Sequence, residues 1–287
     1  MIVTILLTSY SNNSAKNPYG QDGPKLPLVS IILVTRNGIK TLPATLRSIQ
    51  SQSYQETELI LIDNHSSDGT KELLTNYAEV HESRGLSSQL NLGLSIAKGK
   101  YVLLLEQDHE MGPYLIDECV KLALSGYQAI VIPETREGSY WVRSRIIEVE
   151  IYNLAGDVSA RFFNRNLLEK IEWFDKNLSG LRDYDFAYKM QSVTNAYGQT
   201  KESISSHSDD NLTDYVRKFY SRGYAAAIVA KRHGTATILA PYIYLLTHPF
   251  VVFRRPYAKY IFGFCLVKLV ELQSVVVSLV SHMHANR

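Results

Sequence analysis

Cysteine is nearly missing from this 287-residue chain: Cys119 and Cys265 are the two, far apart and in no disulfide or metal-ligand spacing. Such sparing use fits a reducing compartment. A dominant charge is missing too, since 30 Lys and Arg stand against 28 Asp and Glu. With a formal net charge of only +2 there is no long-range pull toward nucleic acid, and that class of partner is set aside. Internal repeats and low-complexity tracts are absent. No G-x-G-x-x-G follows the first apolar run, which weakens any dinucleotide-oxidoreductase reading. Clean membrane spans of about 20 apolar residues are also lacking. The apolar stretch Thr237 to Phe253 is interrupted by Pro241, His248 and Pro249, and the stretch Ile261 to Val280 by Lys268 and Glu271. Residues 1–27 hold a short apolar run with neither a basic flank nor a small-residue cleavage site, and read as a loose N-terminal extension.

What the chain does have is 45% hydrophobic content, enough for one substantial core. From Val29 onward, short apolar runs alternate with helical patterns. The runs are Val29 to Thr35, Glu58 to Asp63, Val80 to Ser83 and Tyr101 to Leu105; the helices are Pro43 to Gln52, Thr70 to Tyr77 and Leu86 to Ala97. That alternation predicts an α/β fold with a mostly parallel sheet flanked by helices. A less regular block follows, with helices at Pro113 to Ser125, Tyr140 to Tyr152 and Asp183 to Gln191, and strands at Ala129 to Pro133 and Ser159 to Phe163. In open parallel sheets ligands bind beyond the carboxyl ends of the strands. Three such positions are unusually polar: Thr35-Arg36-Asn37-Gly38, the run from Asp63 to Gly69, and Glu106-Gln107-Asp108.

In order and spacing these segments resemble the family-two glycosyltransferases of the GT-A fold, over roughly Leu28 to Gly234. The first strand and its loop match the family's opening, and Asp63-Asn64-His65-Ser66-Ser67-Asp68-Gly69-Thr70 matches its D-D/N-x-S-x-D-G-T. A G-x5-N-x-G helix runs from Gly85 to Gly93 with Asn91, and Ala97-Lys98-Gly99-Lys100-Tyr101 matches A-x-G-x-Y. The resemblance implies a Rossmann-like GT-A domain over 28–234, with a nucleotide-binding half (28–110) and an acceptor half (111–234), and an apolar helical tail over 235–287. It implies an inverting transfer from a nucleotide-diphosphate sugar, a UDP-sugar favoured. The donor would meet Thr35, Arg36, Asn37, Asp63, Ser66, Asn91, Glu106 and Gln107.

The family's D-x-D, which binds ribose and a divalent cation, Mn²⁺ or Mg²⁺, stands here as Glu106-Gln107-Asp108, with Asp108 at the metal end. The G-E-D-x-D-L segment, whose Asp after Glu is the catalytic base, stands as Leu181-Arg182-Asp183-Tyr184-Asp185-Phe186, which makes Asp183 the base and leaves Arg182 where the family has Glu. Asp185 falls in the first helical turn, where the dipole favours it. His207, at a strand end before a basic helix, answers to a third metal ligand in related members, the alternative being a structural histidine. Arg217 and Lys218 either face the departing diphosphate or form the wet side of their helix, and Asp68 either shapes the donor loop or caps the next helix. Arg143 and Arg145, beside Trp141, either meet an acidic acceptor group or lie on plain surface.

For the tail, helices lying in a membrane interface are expected, with Arg254, Arg255 and Lys259 near anionic headgroups. The alternative is two helices packed on the core. A membrane-surface location on the cytoplasmic face and a lipid-linked or glycan acceptor follow from the first reading. Two rival functions remain: a sugar nucleotidyltransferase, which would want a Gly-rich phosphate loop after the first strand, and a catalytically inactive sugar-nucleotide or glycan-binding module, which Glu106 and Arg182 favour.

Overall fold

The computed structural model describes residues 26–145, 147, 160–178, 180–208, 211–236, 243, 246–248, 250 and 257–285. Strand β1 (Val29–Thr35) is buried along its whole length, as a continuous apolar run covered on both faces requires. Helix α1 (Leu42–Gln50) carries Pro43 in its first turn, where the missing N–H costs nothing. β2 (Thr57–Asp63), α2 (Thr70–Leu74), β3 (Val80–Glu82), α3 (Leu86–Ile96) and β4 (Tyr101–Glu106) follow. β1 lies between β2 and β4 in parallel register, with Thr35 beside Asp63 and Val34 beside Glu106, so three polar strand ends meet on one edge.

Beyond β4 come β5 (His109–Met111), α4 (Leu115–Leu124), β6 (Ala129–Val131), β7 (Glu134–Gly138) and α5 (Tyr140–Ser144). Next are β8 (Phe162–Asn164), a 3₁₀ turn at Arg165–Glu169, α6 (Arg182–Gln191), β9 (Tyr197–Gln199) and β10 (Ile204–Ser208). Two long helices, α7 (Leu212–His233) and α8 (Ile261–Ala285), end the described chain. The main sheet has seven strands in the order β3-β2-β1-β4-β8-β6-β9, with β8 antiparallel to both neighbours. A separate three-stranded sheet has the order β5-β10-β7. Alternate residues of β1 feed two cores: Ile31 and Leu33 pack with α1 and α4, Ile32 and Val34 with α3 and α6.

α7 opens on a reciprocal cap, Asn211 accepting from the amides of Thr213 and Asp214 while Asp214 accepts from the Asn211 amide. It then runs against α8. At Gly223 a Cβ would fall 2.5 Å from the backbone carbonyl carbon of Ser274, so only glycine permits this approach. Glu271 of α8 is buried here, 3.7 Å from Arg222 and 2.6 Å from Lys268. The two charges that interrupt the apolar C-terminal stretch are therefore paired against α7. The outer face of α8 shows Phe262, Leu269, Leu272, Val276 and Val277. Among the described residues, one helical segment, Ala258–Val277, is long and apolar enough to cross a membrane.

The structure revises several expected boundaries. α2 stops at Leu74 rather than Tyr77, β6 at Val131, and the strand expected at Ser159 to Phe163 is Phe162–Asn164. The part of the expected Tyr140 to Tyr152 helix beyond residue 147 lies outside the described residues, as do most of Thr237 to Phe253, Arg254, Arg255 and the N-terminal run.

Candidate active site

Asp63, at the end of β2, is fully buried, and its carboxylate accepts from Thr35 Oγ1 (2.8 Å), the Ser66 amide (2.7 Å) and Ser66 Oγ (2.6 Å). The amide of Asn37 donates to Ser66 Oγ (2.8 Å), and Asn37 Oδ1 accepts from the Ser67 amide (2.9 Å). Asp68 accepts from Thr70 Oγ1 (2.6 Å) and from the amides of Ile39 and Thr70 (both 3.1 Å). Slight burial raises its pKa, but these bonds outweigh it and hold the carboxyl below its ordinary value. The loops after β1 and β2 are thus one hydrogen-bonded unit. Asp63 and Thr35 work inside it, with no surface for a ligand while the loops keep this shape. The exposed residues of this unit are Arg36, Asn37, His65, Ser67 and Asp68, and Asn64 is half-buried. Asn91 is occupied elsewhere: its side chain donates to the Phe174 carbonyl (2.8 Å) and accepts from the Phe174 amide (3.0 Å).

The turn after β4 is held from both sides. Gln107 accepts from the Arg36 amide (2.6 Å) and donates to the Arg36 carbonyl (3.0 Å). Asp108 accepts at Oδ2 from Ser206 Oγ (2.9 Å), and its carbonyl accepts from the His207 amide (3.1 Å). The Glu106 amide donates to His109 Nδ1 (3.0 Å), which leaves the ring proton on Nε2, 3.9 Å from Asp108 Oδ1. Burial first, then Arg161, pushes His109 down to about 4, so this ring is neutral.

Asp108 Oδ1 and the Glu106 carboxylate, two residues apart on one strand end, are hard oxygen donors of the kind that suits Mg²⁺ or Mn²⁺ when phosphate and water complete the shell. His207 does not join them. Side chains alternate along a strand. Ser206 takes the Asp108 side of β10, and His207 takes the other, with Nε2 3.2 Å from Glu110 and Nδ1 3.6 Å from Glu137. Among the described residues no group of three or more His, Cys, Asp or Glu is placed to hold a metal ion.

α6 begins after Leu181, whose φ of 54° is left-handed. The described non-glycine residues with positive φ are Asn37, His65 and Leu181, all in loops of this region, and strained backbone of this kind gathers at functional sites. Asp183 is 57% exposed, with Arg182 Nε 3.9 Å away. Asp185 is its opposite, buried, with Lys189 at 2.7 Å, His233 at 2.9 Å and Arg232 at 3.3 Å. Burial raises its pKa, but Lys189 and His233 outweigh that and lower it. The dipole argument for Asp185 is therefore incomplete: this carboxylate fastens α6 to the end of α7.

Sequence reading missed Arg161, Glu134 and His109. Glu134 sits 2.7 Å from Arg161 and 2.8 Å from Arg136, which overcome its burial and take it down to about 2. Burial opposes the charge on Arg161, but Glu134, then Glu106 and Asp183, hold it in the charged form. One cation therefore joins the end of the donor strand to the candidate base. Position next to Glu106-Gln107-Asp108 was the available signal for His109; Arg161 gave none.

The other arginines do not gather here. Arg143 donates to the Gly138 carbonyl (3.0 Å) and hydrogen-bonds Tyr260. Arg217 is 80% exposed, 4.0 Å from Asp214, and Lys218 is exposed on the same helix.

Fold and site define a GT-A type α/β domain, a mostly parallel sheet with an acidic turn after β4 and an exposed carboxylate in the first turn of α6. Residues 30–176 match glycosyl transferase family 2, and the chain belongs to that family. An undecaprenyl-phosphate 4-deoxy-4-formamido-L-arabinose transferase of Aeromonas hydrophila is 29% identical over 147 residues, 46% of this chain and 45% of that protein. The chain spans between 45% and 66% of the length of such curated relatives. Among solved structures, a mannosyltransferase of Pyrobaculum calidifontis in complex with GDP-Man and Mn²⁺ has a TM-score of 0.59 at 16% identity, over 87% of each chain. Staphylococcus aureus TarS 1-349 in complex with UDP-GlcNAc has a TM-score of 0.55 at 14% identity, over 90% of this chain and 92% of that one. These two likenesses establish a shared fold.

Proposed function

We propose that the chain is an inverting glycosyltransferase that moves a sugar from a nucleotide-diphosphate donor, UDP-linked by preference, to a hydroxyl of a lipid-linked or glycan acceptor. The observation that carries this is Asp183, a carboxylate 57% exposed that, like Glu106 at the donor-strand end, helps hold Arg161 in its charged form. Asp183 takes the acceptor hydroxyl's proton while that oxygen attacks the anomeric carbon. The bond to the leaving diphosphate breaks on the opposite face, so the configuration inverts. Mn²⁺ or Mg²⁺ held by Asp108 and Glu106 would supply positive charge opposite the departing diphosphate. Support for donor and metal comes from the solved structures, whose titles name GDP-Man with Mn²⁺ and UDP-GlcNAc. Support for a lipid-linked acceptor comes from relatives whose names contain undecaprenol or its phosphate. The outer apolar face of α8 and the exposed Lys259 suit a peripheral seat on the cytoplasmic face of the cell membrane.

The test is turnover of UDP-, GDP- and dTDP-sugars with Mn²⁺ and membranes containing undecaprenyl phosphate. Asp183→Asn is expected to lower transfer by roughly a hundred- to ten-thousandfold with donor binding unchanged. Asp185→Asn should instead lower Tm, since it leaves Lys189 and Arg232 around an uncharged group. EDTA should abolish transfer, as should Asp108→Ala. An Asp183→Asn protein or an EDTA-treated protein that keeps the original rate overturns the reading. Donor binding without turnover would establish the inactive sugar-nucleotide module instead.

A further inference from the structure

The basic groups around α6 are almost all committed. Arg136 and Arg161 are on Glu134, Lys189, Arg232 and His233 are on Asp185, and Arg222 and Lys268 are on Glu271. Arg182 differs from them. Its side chain is only 17% exposed, its Nε is buried without a hydrogen-bond partner, and the nearest acidic atom, Asp183 Oδ1, stands 3.9 Å from that nitrogen, beyond hydrogen-bond reach. A buried donor on a charged group is costly to leave unpaired, so a group of this kind calls for a partner. The planar guanidinium fork matches phosphate or carboxylate, two oxygens at once. With Nε 3.9 Å from Asp183 Oδ1, such a partner would lie beside the carboxylate that takes the acceptor's proton.

We propose that Arg182 is a specificity residue which binds an anionic oxygen group, phosphate or carboxylate, carried by the acceptor next to the hydroxyl attacked. This rests on the transferase reading above and narrows its acceptor class. The Glu-to-Arg departure from the family pattern then becomes a change of acceptor charge, with Asp183 left free as base.

The test uses the full chain saturated with UDP and Mg²⁺, so that the diphosphate position is already filled, titrated with inorganic phosphate in one arm and acetate in the other. Saturable binding of at least one anion is expected. It should weaken at least tenfold in Arg182→Gln and remain in Arg217→Gln, which removes an exposed arginine on α7. Tm is recorded for each variant. Arg182→Lys keeps the charge without the fork and is expected to lose several-fold affinity, which covers the case of a Gln variant that does not fold. The arm with the tighter constant tells phosphate from carboxylate. Equal binding by wild type, Arg182→Gln and Arg182→Lys, or no binding by wild type, overturns the proposal. UDP release from donor without acceptor, measured in parallel, reports separately on the transferase reading, because it requires no acceptor anion.

Discussion

A single neutral ring, His109, couples the acidic turn to acid stability. Its pKa is about 4 in the folded chain, against an ordinary value near 6.5. The unfolded chain therefore binds the proton first as pH falls. The associated stability is fully present above about pH 6.5 and drains away down to about pH 4, roughly 3 kcal/mol in all. Thermal melts in chelator-treated buffer should show Tm falling across that window. His109→Gln, which can still accept from the Glu106 amide, should flatten the fall; an unchanged slope would remove His109 as its source. At this scale the sequence named Glu106 and Asp108 through their place straight after an apolar strand, and Asp183 through its likeness to the family's G-E-D-x-D-L segment. It did not give side-chain direction. Asp63 matches the motif and points inward, and His207 falls on the wrong parity of β10 to reach Asp108.

Among the elements, the contact between α7 and α8 is the most exacting. Gly223→Val would drive a branched side chain into the Ser274 backbone and prise the helices apart around the Glu271 pairs. A drop in Tm of several degrees or more is expected, readable by calorimetry, whereas Gly112→Ala, where the added carbon meets only the movable end of the Glu202 side chain, should cost far less. If the two variants melt alike, the approach is looser than it looks. Elements of the first half were legible because β1, β2 and β4 are continuous apolar runs that only a doubly covered sheet can hide. β5, β7 and β9 were not. HEM, ETREG and YGQ carry no apolar period, and their pairing partners are distant in sequence.

On the scale of the whole molecule, the proposed seat on a membrane surface rests on the outward face of α8. Phe262 (71% exposed), Leu269 (64%) and Val276 (50%) lie on one side with no exposed charge among them, because Lys268 and Glu271 face inward. Binding to phosphatidylcholine vesicles doped with phosphatidylglycerol is expected, and the double variant Leu269→Glu, Val276→Glu should stay in the supernatant with Tm unchanged. Sedimentation of the double variant to the same extent as wild type would deny α8 that role. The sequence showed this stretch as apolar with two interruptions. Only the packing shows that both interruptions belong to the inner side.

Gln107 occupies the middle position of the acidic turn, and its amide is folded over Gly38 so closely that a Cβ there would lie 2.4 Å from it. A side chain at 38 would push that amide off the Arg36 backbone, so its cost would be felt in how firmly the loop after β1 grips the turn after β4.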